Sequence, residues 1–298
     1  MIPPPLFILG ATAVGKSEVA LRLAEETGSP IFVMDAMQVY RGLEIGVGKP
    51  MAEERRRVPH GGIDLVEWTE SFDVARYIQA ASDFLQKSER PVIICGGTGL
   101  YFQALTQGLC EVPMAPASLR KELSQLGLPK LQNRLKQLDP AICSTLDMQN
   151  PRRVQRAIEC METTGRSLLI WQQETPEPIL PQFRAVWLQR PRDLLRQRIA
   201  DRVGKMLKIG WLIEVERLLK EGGEEKLAQC PAIGYKELME VCLNRLSLEE
   251  AGRLISIKTS QYAKRQVTWF TRAQGILPLQ ASNSIEETCR KINAILRD

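Results

Sequence analysis

A chain of 298 residues with 40 Lys and Arg against 35 Asp and Glu, net charge +5, is long enough to bury a large α/β core or two domains without covalent staples. Seven cysteines, odd in number and without a C-x-x-C pair, argue against a disulfide framework or a zinc site and read as reduced thiols. No apolar run reaches the length of a membrane span, and Met1-Ile-Pro-Pro-Pro enters the first strand without a signal-peptide pattern, so a cytoplasmic protein with no membrane partner is expected.

Leu6 to Leu9 reads as a short buried strand, and Val19, Ala20, Leu23 and Ala24 recur at helical spacing. Between them Gly10-Ala11-Thr12-Ala13-Val14-Gly15-Lys16-Ser17 matches the phosphate-loop pattern G-x-x-x-x-G-K-[ST] without a mismatch. Glycines let successive N–H groups turn toward an anion, and the helix N-terminus adds partial positive charge. Lys16 adds a full charge, and the Ser17 hydroxyl suits Mg²⁺.

Pro30 to Asp35 is a second buried strand ending in a carboxylate, and in an open parallel sheet such ends face the ligand crevice. The loop that follows, from Ala36 to Pro50, carries polar groups and three glycines and reads as functional or as surface connection. His60, the one histidine, is assigned no role. A helix over 72–89 precedes a third strand, Val92 to Cys95, which ends in Gly96-Gly-Thr-Gly99; there Thr98 either caps the next helix or faces the crevice. From Cys110 the βα rhythm stops. Helices are expected over 117–126, 129–138 and 151–164, the last capped by Asn150 with Pro151 at its first position, and proline-rich linkers bound the block. A P-loop NTPase-like parallel α/β domain (1–110 and 183–298) with an all-helical insertion (111–182) is therefore expected. Beyond it come a strand from Arg184, long helices carrying ten Lys or Arg against four Asp or Glu over 184–220, a helix from the capping box Ser247–Glu250 to about Thr271, a strand near 276–279 and a terminal helix opened by Ser284.

Six stretches in this order resemble the successive motifs of bacterial tRNA dimethylallyltransferases: Gly10–Ser17, Asp35-Ala-Met-Gln38 with Tyr40-Arg41, Gly96–Tyr101, Asn150–Arg156, Ala232-Ile-Gly-Tyr-Lys236, and Ala263-Lys-Arg-Gln266 with Thr268-Trp269. The chain departs from the family in Ala36, where serine is frequent, and in Gly61-Gly62 after His60, where bulkier residues are usual. The resemblance implies transfer of a dimethylallyl group from dimethylallyl pyrophosphate to the N6 amine of the adenine 3′ to the anticodon, position 37. The phosphate loop, Gly10 through Ser17 (Ala11, Thr12, Ala13, Val14, Gly15 and Lys16 between), would hold the pyrophosphate with Arg202 and Mg²⁺. Asp35 fits a base for the amine, because a delocalised lone pair attacks more readily as its proton leaves. Thr98 would touch both substrates. By similarity, Asp35, Ala36, Met37, Gln38, Thr98, Arg120, Arg152, Arg153, Val154, Gln155, Arg156, Lys236, Lys264 and Arg265 lie at the tRNA anticodon stem-loop. Arg152, Arg153 and Arg156 stand at neighbouring helical positions, so they serve either RNA phosphates or internal pairing, for instance with Glu159. No sequence feature demands an oligomer, and a monomer is expected. The rival reading is a phosphate-loop kinase of a nucleoside or small metabolite with Asp35 as base; a nucleotide switch is disfavoured because no N-K-x-D motif occurs.

Overall fold

Apolar runs bounded by turn residues become strands, and the amphipathic stretches between them become helices, in a computed structural model that describes residues 4–296. In chain order these are β1 (Leu6–Gly10), α1 (Lys16–Thr27), β2 (Ile31–Met34), β3 (Tyr40–Arg41), α2 (Ala52–Arg57), β4 (His60–Gly61), β5 (Val66–Glu67), α3 (Val74–Lys87), β6 (Ile93–Gly96) and α4 (Gly99–Gln107). Then follow α5 (Ala117–Ser124), α6 (Leu128–Leu138), α7 (Pro151–Thr164), α8 (Leu168–Gln173), β7 (Arg184–Gln189), α9 (Arg192–Lys208), α10 (Trp211–Ala228), α11 (Tyr235–Cys242), α12 (Leu248–Phe270), β8 (Leu277–Gln280) and α13 (Ile285–Ile295).

Six strands form one parallel sheet in the order β4-β2-β6-β1-β7-β8, and β3 pairs with β5 apart from it. Alternate residues serve opposite faces, as the period of a strand requires. Ile8, Val33, Cys95 and Val186 meet α1, α9 and α13 on one side, whereas Phe7, Leu9, Phe32 and Ile94 meet α3 and α4 on the other. On that second face Tyr77 and Tyr101 stack with centroids 3.7 Å apart, and the Tyr77 hydroxyl donates to the Val33 carbonyl at 3.2 Å. A third core joins α9–α12 to the segment between β2 and β5 around Trp211 and Tyr235.

The chain divides into two compact units, Met1–Thr106 with Leu180–Asp298, and Gln107–Ile179. The second unit has its own core of Leu123, Leu131, Leu135, Val154 and Ile158. Its helix α7 begins as the sequence dictates, with the Asn150 carboxamide oxygen accepting from the N–H groups of Arg152 and Arg153.

Several short elements escape the sequence reading. β3, β4 and β5 have two residues each, too few for a period, α2 and α8 have six, and α11 has eight. β4 contains His60 and pairs with β2, and its Nδ1–H donates to the Val58 carbonyl at 2.8 Å, so the ring serves structure. A β-carbon at Gly61 would stand 2.4 Å from the Phe84 ring, so the aromatic side chain from α3 leaves no room for a larger residue at this position. The last strand is displaced by one residue from its expected bounds, to Leu277–Gln280.

Candidate active site

Register decides which loops become neighbours. Leu9 and Met34 both pair with Gly96, so the phosphate loop after β1 and the residues after β2 flank the turn after β6. Gly10 pairs with Leu188 on the other side, which brings the end of β7 and then Arg190 to the same edge. The carboxyl ends of four strands of a parallel sheet thus meet at one crevice, the usual ligand position in such folds.

At that edge Gly15 adopts φ 107°, a left-handed conformation that glycine alone takes without strain, and α1 begins at the next residue. The loop carbonyls are held by arginines distant in sequence: Arg198 Nε donates to the Ala13 carbonyl and Arg190 Nε to that of Val14, each at 2.8 Å. The Ala11 carbonyl accepts from Lys16 Nζ within the loop at 2.8 Å, and with those of Ala13 and Val14 held by the arginines, the N–H groups that open α1 are left to an anion. Arg198, Arg202 and Lys205 follow at helical spacing along α9 and, with Lys16 and Arg190, line one cavity of about 440 Å³ whose only acids among the described residues are Glu18 and Asp201. Five cations against two exposed carboxylates define an anion site.

The electrostatics agree. Burial lowers Lys16 to about 8, with repulsion from Arg202 adding to it and Cys95 and Asp35 opposing. Arg202 is also pushed down by burial, and Arg190 by burial and then by Arg198. Each of these groups would regain its ordinary range beside a multiply charged anion. Arg202 packs on bare backbone, since a β-carbon on Gly48 would stand 1.9 Å from its Nη2. The segment bearing Gly48 is itself clamped. Glu214 of α10, buried, accepts from the N–H groups of Glu44, Ile45 and Gly46 at 3.1, 2.7 and 3.4 Å and from the Tyr235 hydroxyl at 2.6 Å. Buried Lys49 donates to the Tyr40 carbonyl at 2.7 Å and pairs with Glu44 and Asp64 at 2.9 and 2.5 Å.

Asp35, at the end of β2, accepts from the Met37 N–H through Oδ1 at 2.8 Å. The negative charge of Asp35 reaches Lys16, Arg202, Tyr101 and Tyr262. Thr98 Oγ1 accepts from the Ala36 N–H at 3.2 Å, so the threonine ties the β6 turn to the residues beside Asp35, while its carbonyl also accepts from Tyr101 N–H at the start of α4. The Thr98 side chain therefore bonds beside Asp35, and only its backbone carbonyl serves the start of α4. Gln38 Nε2 donates to the Val47 carbonyl at 3.3 Å. Ser17, in the first turn of α1, is exposed toward the cavity that Asp201 also lines. No cluster of three His, Cys, Asp or Glu side chains able to hold a metal stands among the described residues. A hydroxyl with one carboxylate in the same cavity fits Mg²⁺, which keeps several waters and takes its remaining oxygens from a substrate phosphate.

The remaining expected residues fall into two groups. Lys236, Lys264 and Arg265 are exposed in the first unit, and Arg120, Arg152 and Arg153 are exposed in the second. Val154 is fully buried in the second unit's core, so only its backbone could meet a ligand, and Gln155 donates to Glu159 at 2.8 Å. Arg156 donates to the Val112 carbonyl at 3.1 Å and approaches Glu159 at 3.8 Å, the internal pairing. Sequence reasoning gave no role to Arg190, Arg198, Tyr262 or Gln266, the last although it closes one of the six motif stretches. The spacing of Arg198 with Arg202 was a signal that could have found the first of α9's pair; Arg190 carries none, because its partners lie 92 and 176 residues away.

A phosphate loop at the head of a parallel sheet, crowned by cations and faced by a strand-end carboxylate, defines an α/β enzyme that handles a phosphorylated substrate. Similarity to known proteins narrows the class: the IPP transferase family model matches residues 38–273, and the isopentenyl transferase model matches residues 6–60. The chain is 42% identical over 95% of its length to the tRNA dimethylallyltransferase of Methylacidiphilum infernorum and 40% identical over 89% to that of Ruegeria sp., covering 88% and 91% of those proteins. Among solved structures it resembles the full-length tRNA isopentenylpyrophosphate transferase of Bacillus halodurans (30% identity, 99% of this chain and 95% of that one, TM-score 0.71). It also resembles a eukaryotic dimethylallyltransferase acting on tRNA (26% identity, 98% and 77%, TM-score 0.83). The chain belongs to the IPP transferase family and is a prenyl-transferring enzyme of P-loop-like fold. None of these matches favours the kinase reading.

Proposed function

We propose that this enzyme transfers the dimethylallyl group of dimethylallyl pyrophosphate to the N6 amine of the adenine 3′-adjacent to the anticodon of tRNA, releasing pyrophosphate. The amine nitrogen attacks the allylic C1, the C1–O bond breaks with its electron pair leaving on pyrophosphate, and the N6 proton passes to the Asp35 carboxylate. The observation that carries this reading is the strand register, which stands Asp35 and Thr98 beside the cation-lined phosphate loop.

Loop N–H groups, Lys16, Arg198 and Arg202 stabilise the charge that develops on the leaving group, and fixed charges do so without reorganising. Mg²⁺, held through Ser17, would add its charge to the same oxygens. Thr98 orients the nucleophile from the turn next to Asp35. The target base leaves its stack to reach such a crevice, and the exposed cations Lys236, Lys264 and Arg265 in the first unit, with Arg120, Arg152 and Arg153 in the second, offer contacts to RNA phosphates. No helix among the described residues is long and apolar enough to cross a membrane, and we assign the enzyme to the cytoplasm as a monomer.

Purified protein incubated with an anticodon stem-loop and labelled dimethylallyl pyrophosphate should place label on the adenine, and an otherwise identical RNA lacking that N6 amine should receive none. Phosphate transfer from ATP to a nucleoside or metabolite, with no label in RNA, would establish the kinase instead.

A further inference from the structure

Gln266 lies in α12, buried at 6% exposure, between the two glycine turns of the crevice. A buried carboxamide needs partners for both of its ends. Its Oε1 accepts from the Thr12 N–H of the phosphate loop at 2.8 Å, and its Nε2 donates to the Gly97 carbonyl at 2.9 Å. The amide orientation follows from these partners, since the flipped group would set N–H against N–H and carbonyl against carbonyl. Gly97 is shaped for this approach: a β-carbon there would stand 2.2 Å from Nε2. Thr12 gives its N–H to Gln266 and so takes no part in the loop's anion cradle. Gly97 leads directly to Thr98, whose hydroxyl holds the Ala36 N–H beside Asp35. One side chain thus joins the leaving-group side of the crevice to the base side, across sequence separations of 254 and 169 residues.

Resting on the transfer reaction proposed above, we infer that Gln266 is a positioning residue, whose carboxamide fixes the separation of the phosphate loop from the Gly97–Thr98 turn and so the distance over which the allyl carbon and the adenine amine meet. Displacements near 1 Å in such a geometry reduce rates by about a hundredfold. The role also demands an uncharged group that donates on one side and accepts on the other. A glutamate at this position meets the demand only while protonated. Once ionised, it sets a carboxylate oxygen against the Gly97 carbonyl and adds negative charge beside the pyrophosphate cradle. The titratable and charged groups around the position are Tyr262 and Arg265 on its own helix, with Asp35 and Lys16 from the facing strand ends; burial, then Asp35, holds the Tyr262 hydroxyl neutral through the ordinary pH range.

The test compares native enzyme with Gln266→Glu and the near-isosteric Gln266→Met in single-turnover transfer, and in binding of inorganic pyrophosphate, from pH 5.5 to 9. Gln266→Met should lose roughly ten- to a hundredfold in rate by a factor that does not change with pH, with stem-loop affinity unaltered. Gln266→Glu, expressed as a ratio to native at each pH, should approach the native rate and pyrophosphate affinity in acid and fall progressively as pH rises. A space-filling role alone would give the glutamate variant a ratio that is flat with pH, and that result, or native rates from both variants, overturns the inference. Should the glutamate variant fail to fold, a native rate in the methionine variant overturns it alone. If native enzyme transfers no label to RNA, the proposed reaction fails, yet the pyrophosphate titration still decides the role of Gln266.

Discussion

In the proposed reaction Lys16 serves the leaving group and Asp35 the nucleophile, and each assignment makes a separable prediction. Lys16 is lowered to about 8, chiefly by burial, whereas pyrophosphate beside it would raise it again. Between pH 8 and 10.5 the unliganded amine has largely lost the proton that the complex keeps, so binding there takes up a proton and affinity falls as pH rises. The same shift makes the group's contribution to folding stability grow with pH across that window, because the unfolded chain binds the extra proton. Calorimetry of pyrophosphate binding at pH 8.5, in buffers of differing ionisation enthalpy, should show proton uptake in native enzyme beyond that of Lys16→Ala. Equal uptake in both proteins would remove Lys16 from the phosphate site. Asp35→Asn should leave both substrates bound and slow single-turnover transfer by roughly a hundredfold or more, the typical loss of a general base. An undiminished rate would take the base role from Asp35.

At the scale of elements, the segment between β2 and β4 has little regular structure and depends on side chains brought from elsewhere. The Glu214 carboxylate accepts from three of its N–H groups and from Tyr235. Glu214→Ala leaves the buried Tyr235 hydroxyl and three part-buried N–H groups without their acceptor, which should cost roughly 1–3 kcal/mol in denaturant unfolding. It should also weaken pyrophosphate binding, because the same segment carries Gly48 against Arg202. A variant as stable as the parent would show that water replaces the carboxylate. Such a clamp explains what the sequence could and could not disclose. The phosphate loop, α1, and the caps at Asn150, Ser247 and Ser284 were legible because their partners lie within a few residues. Asp35 and Thr98 were legible as strand ends, with the resemblance supplying their roles. The clamps by Glu214, Arg190, Arg198 and Gln266 were not, since each joins residues that only the completed fold makes adjacent.

For the whole molecule, charge is organised at two levels. Cations inside the crevice are suited to a small anion, and exposed cations on each unit are suited to a polyanion. In the second unit the arginines of α7 separate by function. Arg156 is committed to the Val112 carbonyl and to Glu159, and Arg134 bridges Glu122 and Glu162 at 2.5 and 2.6 Å. Arg152 makes no ion pair among the described residues, and Arg153 only approaches Asp147 at 3.8 Å, with 60% of its side chain exposed. Exposed pairs of that length contribute little to stability. The backbone N–H groups of Arg152 and Arg153 hold the Asn150 cap whatever their side chains are. Replacing both with alanine should therefore leave the melting temperature almost unchanged. If their charges meet RNA phosphates, stem-loop affinity should fall, and the slope of log affinity against log salt should decrease by about one for each phosphate no longer neutralised. Pyrophosphate affinity should not move, because no residue of this unit lines the phosphate cavity. Arg156→Ala should behave in the opposite way, lowering the melting temperature because the Val112 carbonyl and Glu159 are left without their partner, while changing the salt slope little. A double variant that binds RNA as tightly as the parent, with the same salt slope, would remove α7 from the RNA surface and leave that task to Lys236, Lys264 and Arg265 of the first unit.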